Sequence, residues 1–337
     1  MTYKEIIEVA KDCMGFCKAC IICNGKVCKN SMPGPGAKGI GDVAIRNYDK
    51  WKEIRLNMDT IAENKDVDTS FELFGKKFKY PIFVGPVGAV QLHYGDKYTE
   101  EEYNNIMLKS CNDSGIAAFT GDGVNPNVMI AATNMIKKQN GMGIPTVKPW
   151  NIDIIKEKMK LVSDSNAFAV AMDIDGAGLP FLKNLTPKAG GKTVEELREI
   201  KEIAKRPFII KGIMTAKGAI KARESGADAI IVSNHGGRVL DQCAATAEVL
   251  PEIVDAVGGT IKILVDGGIR SGADILKALG IGADGVVIAR TFVIALYGGG
   301  EEGVKSYINQ LGAELEDAMT MCGVHSLKEI NRDVVRF

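Results

Sequence analysis

A histidine, a lysine, several arginines and two aspartates recur in this chain where short apolar runs give way to turns. Lys211 ends the run from Phe208, and Ser233-Asn-His-Gly-Gly-Arg238 closes the run from Ala229. Asp266-Gly-Gly268 follows the run from Ile261, and Arg290 follows Gly285 to Ala289. His235 is the side chain suited to exchange protons near neutral pH, and Arg238 offers a planar fork that matches a carboxylate. A lysine at the end of a buried run is rare unless its ammonium meets a partner; for Lys211 a negatively charged cofactor ring would serve. Gly267 and Gly268, with Arg270 and Arg290 nearby, fit a phosphate held by backbone N–H groups and a guanidinium fork. Asp266 could accept from a ribityl or sugar hydroxyl. By itself Asp-Gly-Gly also reads as a tight turn, so the phosphate reading rests on its company with Arg290. Asp173 ends the run Phe168 to Ile174 and could hold an imidazolium while raising its pKa; Asp175 competes for that role. His93 and His325 lack such company and read as structural.

Residues scattered over this much sequence need a scaffold that brings run ends together. Eight short apolar runs bounded by Gly, Pro, Asn or Asp supply one: 81–86, 116–119, 144–148, 168–174, 208–211, 229–233, 261–265 and 285–289. Continuous and rich in Val and Ile, they read as buried parallel strands. Segments with helical spacing lie between them, such as 100–112, 193–205, 216–225, 273–279 and 304–321. Strand alternating with helix eight times predicts an α/β chain folded as a (β/α)8 TIM barrel, in which active sites gather at the C-terminal ends of the strands.

Residues 1–75 fall outside this repeat and are expected to form an N-terminal extension over one end of a barrel spanning 76–337. Ser31 to Gly41 carries too many Gly and Pro for regular structure and reads as a loop. Five of the eight cysteines, Cys13, Cys17, Cys20, Cys23 and Cys28, crowd into this extension. In a reducing compartment such crowding suggests metal or free thiols rather than disulfides. Cys13-x3-Cys17-x2-Cys20 matches the spacing of radical S-adenosylmethionine enzymes, but it precedes the whole barrel instead of following the first strand. Cys17, Cys20, Cys23 and Cys28 could together supply four thiolates to an iron–sulfur cluster or a structural zinc.

Ser233 to Asp241, Lys211-Gly212, Asp266-Gly-Gly-Ile-Arg270 and the Gly-Ala-Asp-Gly-Val-Val-Ile-Ala-Arg run ending at Arg290 resemble the FMN-dependent 2-hydroxy-acid oxidases and dehydrogenases. That family includes glycolate oxidase, lactate oxidase and flavocytochrome lactate dehydrogenases. The resemblance implies that His235 is the active-site base paired with Asp173, that Arg238 binds the substrate carboxylate, and that Lys211 stabilises the reduced flavin at its N1/O2 edge. It places Gly268, Arg270, Ala289 and Arg290 around the FMN phosphate, with Asp266, Gly267 and Ser233 in the same cofactor site. Pro86, Val87 and Gly88 match the family's first-strand segment against the flavin ring, and Thr120 a hydroxyl residue touching it. Lys148 and Trp150 align with a glutamine and a substrate-binding tyrosine after the third strand. A second carboxylate-binding arginine is missing, replaced by Asp175-Gly-Ala-Gly178.

The chain's charge narrows its partners. Forty-two basic and forty-two acidic residues give zero formal net charge without blocks of one sign, which argues against nucleic acid or anionic lipid. No apolar stretch approaches the roughly 20 residues that span a bilayer, and the first residues are amphipathic rather than a signal peptide. The expectation is a cytoplasmic homo-oligomer, up to a tetramer, that oxidises a lactate-like (S)-2-hydroxy acid with FMN and passes electrons to an acceptor the sequence does not specify. Two other classes compete: an FMN isomerase of the type II isopentenyl diphosphate isomerase kind, and a non-catalytic flavin or metal sensor.

Overall fold

Runs of Val, Ile, Ala and Phe that would be insoluble as exposed strands are buried here as the staves of a closed barrel. The computed structural model describes residues 1–179, Leu182, Asn184 and 189–337. Its staves are β1 (Ile82–Val84), β2 (Ala117–Thr120), β3 (Ile144–Val147), β4 (Val170–Asp173), β5 (Phe208–Ile213), β6 (Ala229–Val232), β7 (Lys262–Val265) and β8 (Gly285–Ile288). Each pairs in parallel with its sequence neighbours, and β8 closes on β1. Helices wrap the outside, and their starts are written in sequence: Thr99 with Glu102, and Thr193 with Glu196, form reciprocal caps before Glu100–Asp113 and Val194–Ala204. The last helix runs from Arg290 to Met321, starting well before the expected 304 and broken at Gly300.

The barrel is filled rather than hollow. Phe83, Phe119, Ile144, Ile209, Ile231 and Leu264 interlock inside it. Below them a hairpin, Phe71–Leu73 paired with Lys76–Phe78, plugs the N-terminal end. Phe78 packs edge-on to Phe83 at 5.3 Å between centroids. Burying one such ring contributes roughly 1.5–3 kcal/mol. The boundary expected between 75 and 76 falls in the tight turn of this hairpin, between its two strands.

The first 75 residues are bonded into the barrel at both ends. Helix Tyr3–Cys13 packs against Arg290–Met321 and shares the outer core through Ile6, Ile7 and Ala10. Helix Asp42–Glu53 lies across the strand ends, where Trp51 Nε1 donates to the Gly267 carbonyl at 2.7 Å. From Met14 to Gly41 the chain has neither helix nor strand, as expected for 31–41, and it covers the C-terminal mouth. Among the described residues no helix is long and apolar enough to cross a membrane.

Candidate active site

Strand direction sends the ends of β4, β5, β6, β7 and β8 to one mouth, and there the chemistry-bearing residues meet around a cavity of about 810 Å³. Lys211 sits at its floor, 3.7 Å from an oxygen of Asp266 and 3.9 Å from one of Asp175. Burial works against a charged ammonium, but the carboxylates of Asp175, Asp266 and Asp173 outweigh it and raise the Lys211 pKa. Asp266 responds in the opposite sense: burial pushes its carboxyl up although Lys211 and the Ser233 hydroxyl pull it down. Ser233 Oγ donates to Asp266 at 2.8 Å and accepts the His235 backbone N–H at 3.1 Å.

His235 occupies a one-turn 3-10 segment after β6, at φ 56°, a left-handed conformation that costs a side-chain-bearing residue energy and marks functional turns. Its Nδ1 lies 3.0 Å from Asp175 Oδ1. An ionised carboxylate there fixes the ring proton on Nδ1 and leaves Nε2 as the acceptor. Burial and the Lys211 charge lower the His235 pKa more than Asp175 raises it, so the imidazole is neutral at pH 7.

The imidazole partner expected from the resemblance was Asp173. The structure gives Asp173 instead to Lys148, Nζ to Oδ2 at 3.0 Å, and seats Asp175 on the ring. Asp173 ends β4, and the 3-10 turn Ile174–Gly178 that follows brings Asp175 onto the ring, with an Asp173 oxygen within 4.8 Å of the pair. Room for it comes from Gly212, at φ 106° in a bulge of β5. A Cβ at that glycine would lie 2.6 Å from the Asp175 side chain.

Three other expectations need correction. Trp150 is not a substrate residue: its indole N–H donates to buried Asp122 at 2.6 Å, away from the cavity wall. Asp122, which the sequence reading passed over, also accepts from Lys158 Nζ at 2.6 Å and the Lys148 backbone at 3.1 Å. Arg270 lines the cavity as well, with Nε on the Cys23 carbonyl, Nη1 on that of Ile269 and Nη2 on Cys23 Sγ. Gly268 also lines the cavity, and a Cβ there would stand 2.0 Å from the Asn47 carbonyl, so packing too demands a glycine. The side chains of Thr120 and Ser233 stop short of the wall, whereas Pro86, Val87, Gly88, Lys148, Gly267 and Ala289 reach it.

Arg238 lines the cavity with Nη1 anchored to the carbonyls of Gly34 and Gly36 at 2.5 and 2.9 Å. The Gly-Pro-rich loop read only as irregular therefore forms part of the site. His93, read as structural, also faces the cavity. Its Nδ1 accepts the Gly34 N–H at 3.1 Å, and burial beside Arg238 and Lys148 pushes its pKa down to about 4.

FMN fits these residues. Arg290 Nη1, Asp266 Oδ1 and Thr146 Oγ1 are buried polar atoms on the cavity wall without a hydrogen-bond partner among the described residues. A phosphate, ribityl hydroxyls and a polar ring edge would satisfy them. A (β/α)8 barrel with an imidazole, a buried ammonium and an arginine at one mouth is the arrangement a flavin-dependent oxidoreductase would use.

The chain belongs to the FMN-dependent dehydrogenase family, whose model matches residues 35–180 and 181–337. It is similar to the peroxisomal (S)-2-hydroxyacid oxidase GLO3 of Arabidopsis thaliana, 47% identical over 320 residues that cover 86% of this chain and 87% of the relative. A second relative, the L-lactate dehydrogenase of Pectobacterium atrosepticum, is 48% identical over 139 residues, 41% of this chain and 36% of that one. Mandelate oxidase with (S)-4-hydroxymandelic acid shares the fold at TM-score 0.80 and 22% identity, covering 100% of this chain and 99% of that one. The chain is thus an FMN-dependent enzyme of 2-hydroxy-acid oxidation. Membership of an oxidoreductase family removes the ground for an isomerase or a non-catalytic sensor.

Proposed function

We propose that the chain oxidises a small, lactate-like (S)-2-hydroxy acid to its 2-oxo acid, with His235 as base, Asp175 as its positioning partner and Arg238 as carboxylate anchor. The observation that carries this reading is the imidazole held through Nδ1 by Asp175 in the same cavity as Arg238 and Lys211. Bound FMN supplies the acceptor for the two electrons that leave the substrate's Cα. Arg238 orients the carboxylate, Nε2 of His235 takes a substrate proton, and the Asp175 charge stabilises the imidazolium that results. Lys211 offers a fixed positive charge to a reduced, anionic ring. The (S) preference and small side chain draw support from the relatives' names. A cytoplasmic location is proposed from the eight free cysteines, and homo-oligomeric assembly from the resemblance alone.

Anaerobic bleaching of the visible flavin spectrum tests cofactor, reaction and substrate together. Lactate or a close relative should bleach it within a panel of 2-hydroxy acids; no bleaching by any member would overturn the reading. The pH dependence has a definite sign. Because the folded His235 pKa is lowered, the base stays active down through 6.5 and the rate falls only at more acid pH. Asp175→Asn removes an influence that raises this pKa, so its acid limb should move lower still while the rate drops. An acid limb above 6.5, or one unmoved by Asp175→Asn, would remove Asp175 from this role.

A further inference from the structure

The N-terminal segment holds a group of side chains that hydroxy-acid oxidation does not use. Cys17, Cys20, Cys23 and Cys28 all line one small cavity beside the main one, and all are free thiols. Its wall is completed by Pro35 and Arg290, both of which also line the flavin cavity. Two guanidinium groups face the sulfurs: Arg270 Nη2 donates to Cys23 Sγ at 3.7 Å, and Arg290 lies against Cys28. Cys13 stands apart. It ends helix Tyr3–Cys13 and its thiol donates to the Tyr297 carbonyl at 3.2 Å, outside this cavity, which removes the three-cysteine set Cys13, Cys17 and Cys20.

We propose that Cys17, Cys20, Cys23 and Cys28 ligate an iron–sulfur cluster against the phosphate end of the flavin cavity, giving electrons an exit other than dioxygen. Segments of this length without helix or strand are uncommon in compact domains and usually carry function or a cross-link, and four converging thiols are such a cross-link. The sulfur spacing favours a cluster over zinc. Zinc at about 2.3 Å from each thiolate would set its sulfurs roughly 3.8 Å apart. Among the described residues, no three of these sulfurs lie within 4.8 Å of one another. A cluster with one thiolate on each iron spreads them more widely. The space between the thiols is about 20 Å³, so seating a cluster requires the Asn24–Val27 turn to yield. Ile21, Ile22 and Val27 are exposed, whereas Gly25 is buried against Ala44, so the turn shifts on that one contact. Arg270 and Arg290 then offset part of the cluster's negative charge. Each substrate would leave two electrons on bound flavin; the cluster would pass them one at a time to two molecules of a one-electron carrier protein, so the flavin returns oxidised, its protons go to solvent and both carriers leave reduced.

The test uses the full chain produced and purified without oxygen. About four irons and four acid-labile sulfides per chain are expected, with a paramagnetic resonance signal after dithionite reduction. Cys20→Ser should lose the iron and keep FMN, while Cys13→Ser keeps both. If Cys20→Ser fails to fold, alkylation of the wild type decides: Cys17, Cys20, Cys23 and Cys28 should resist iodoacetamide until iron is chelated. Absence of iron, zinc in its place, full iron in Cys20→Ser, or free alkylation of the four would each overturn the proposal. None of these readouts needs substrate, so they stand or fall apart from the choice of hydroxy acid.

Discussion

Replacing His235 with alanine leaves FMN bound and slows anaerobic flavin reduction by substrate at least about 100-fold, the usual worth of a positioned base. Retention of cofactor follows from the site's layout. The phosphate end is built from Arg290 and the turn at Gly267, whereas His235 enters from a separate turn after β6 and is tied to Asp175. The loss should be in the chemical step, because only Nε2 is placed to take the proton once Nδ1 is committed. Stopped-flow reduction checks it; a variant holding more than about a tenth of the wild-type rate would remove His235 from this role.

Arg238→Lys should cost on the order of 2 kcal/mol in kcat/KM, about a 30-fold loss, felt in both KM and kcat. Arg238 has two tasks: Nη1 holds the Gly34 and Gly36 carbonyls of the covering loop, and the rest of the fork is left for a carboxylate. One ammonium cannot do both in the same geometry. The family's second arginine is absent here, with Asp175-Gly-Ala-Gly178 in its place, so nothing of that kind compensates. Steady-state kinetics with the best acid of the panel measures it. Unchanged kinetics would transfer the anchoring role to Lys148, which lines the same cavity.

What could be read from the sequence was what local chemistry dictates. Eight short apolar runs set off by turn-forming residues became eight strands because a buried parallel stave has few other solutions. The residues just past them had to share a mouth. What could not be read was height and aim within that mouth. Asp173 and Asp175 differ by two positions, and only the 3-10 turn and the space at Gly212 decide which one meets the imidazole. Trp150 lay beyond reach for a similar reason, since its partner Asp122 comes from the preceding strand end. The role of Ser31 to Gly41 was hidden because a loop's contacts are set by where the rest of the chain places it. Its density of Gly and Pro was the one signal that a backbone was being shaped for close approach.

The bonds of helix Asp42–Glu53 carry a consequence for how the enzyme is made. Asn47 exchanges side-chain hydrogen bonds with Asn234, Trp51 reaches Gly267, and just beyond the helix Arg55 pairs with Arg336. A ribosome delivers residues in order, so a helix among the first to emerge waits for partners some two hundred residues behind it. Contacts of such sequence separation form late and slow folding. The mouth cannot take its final shape on a nascent chain, and capture of flavin must follow release of the strands that carry residues 234 to 290. Until then Trp51 and Val43, buried in the folded enzyme, lack the surfaces that cover them.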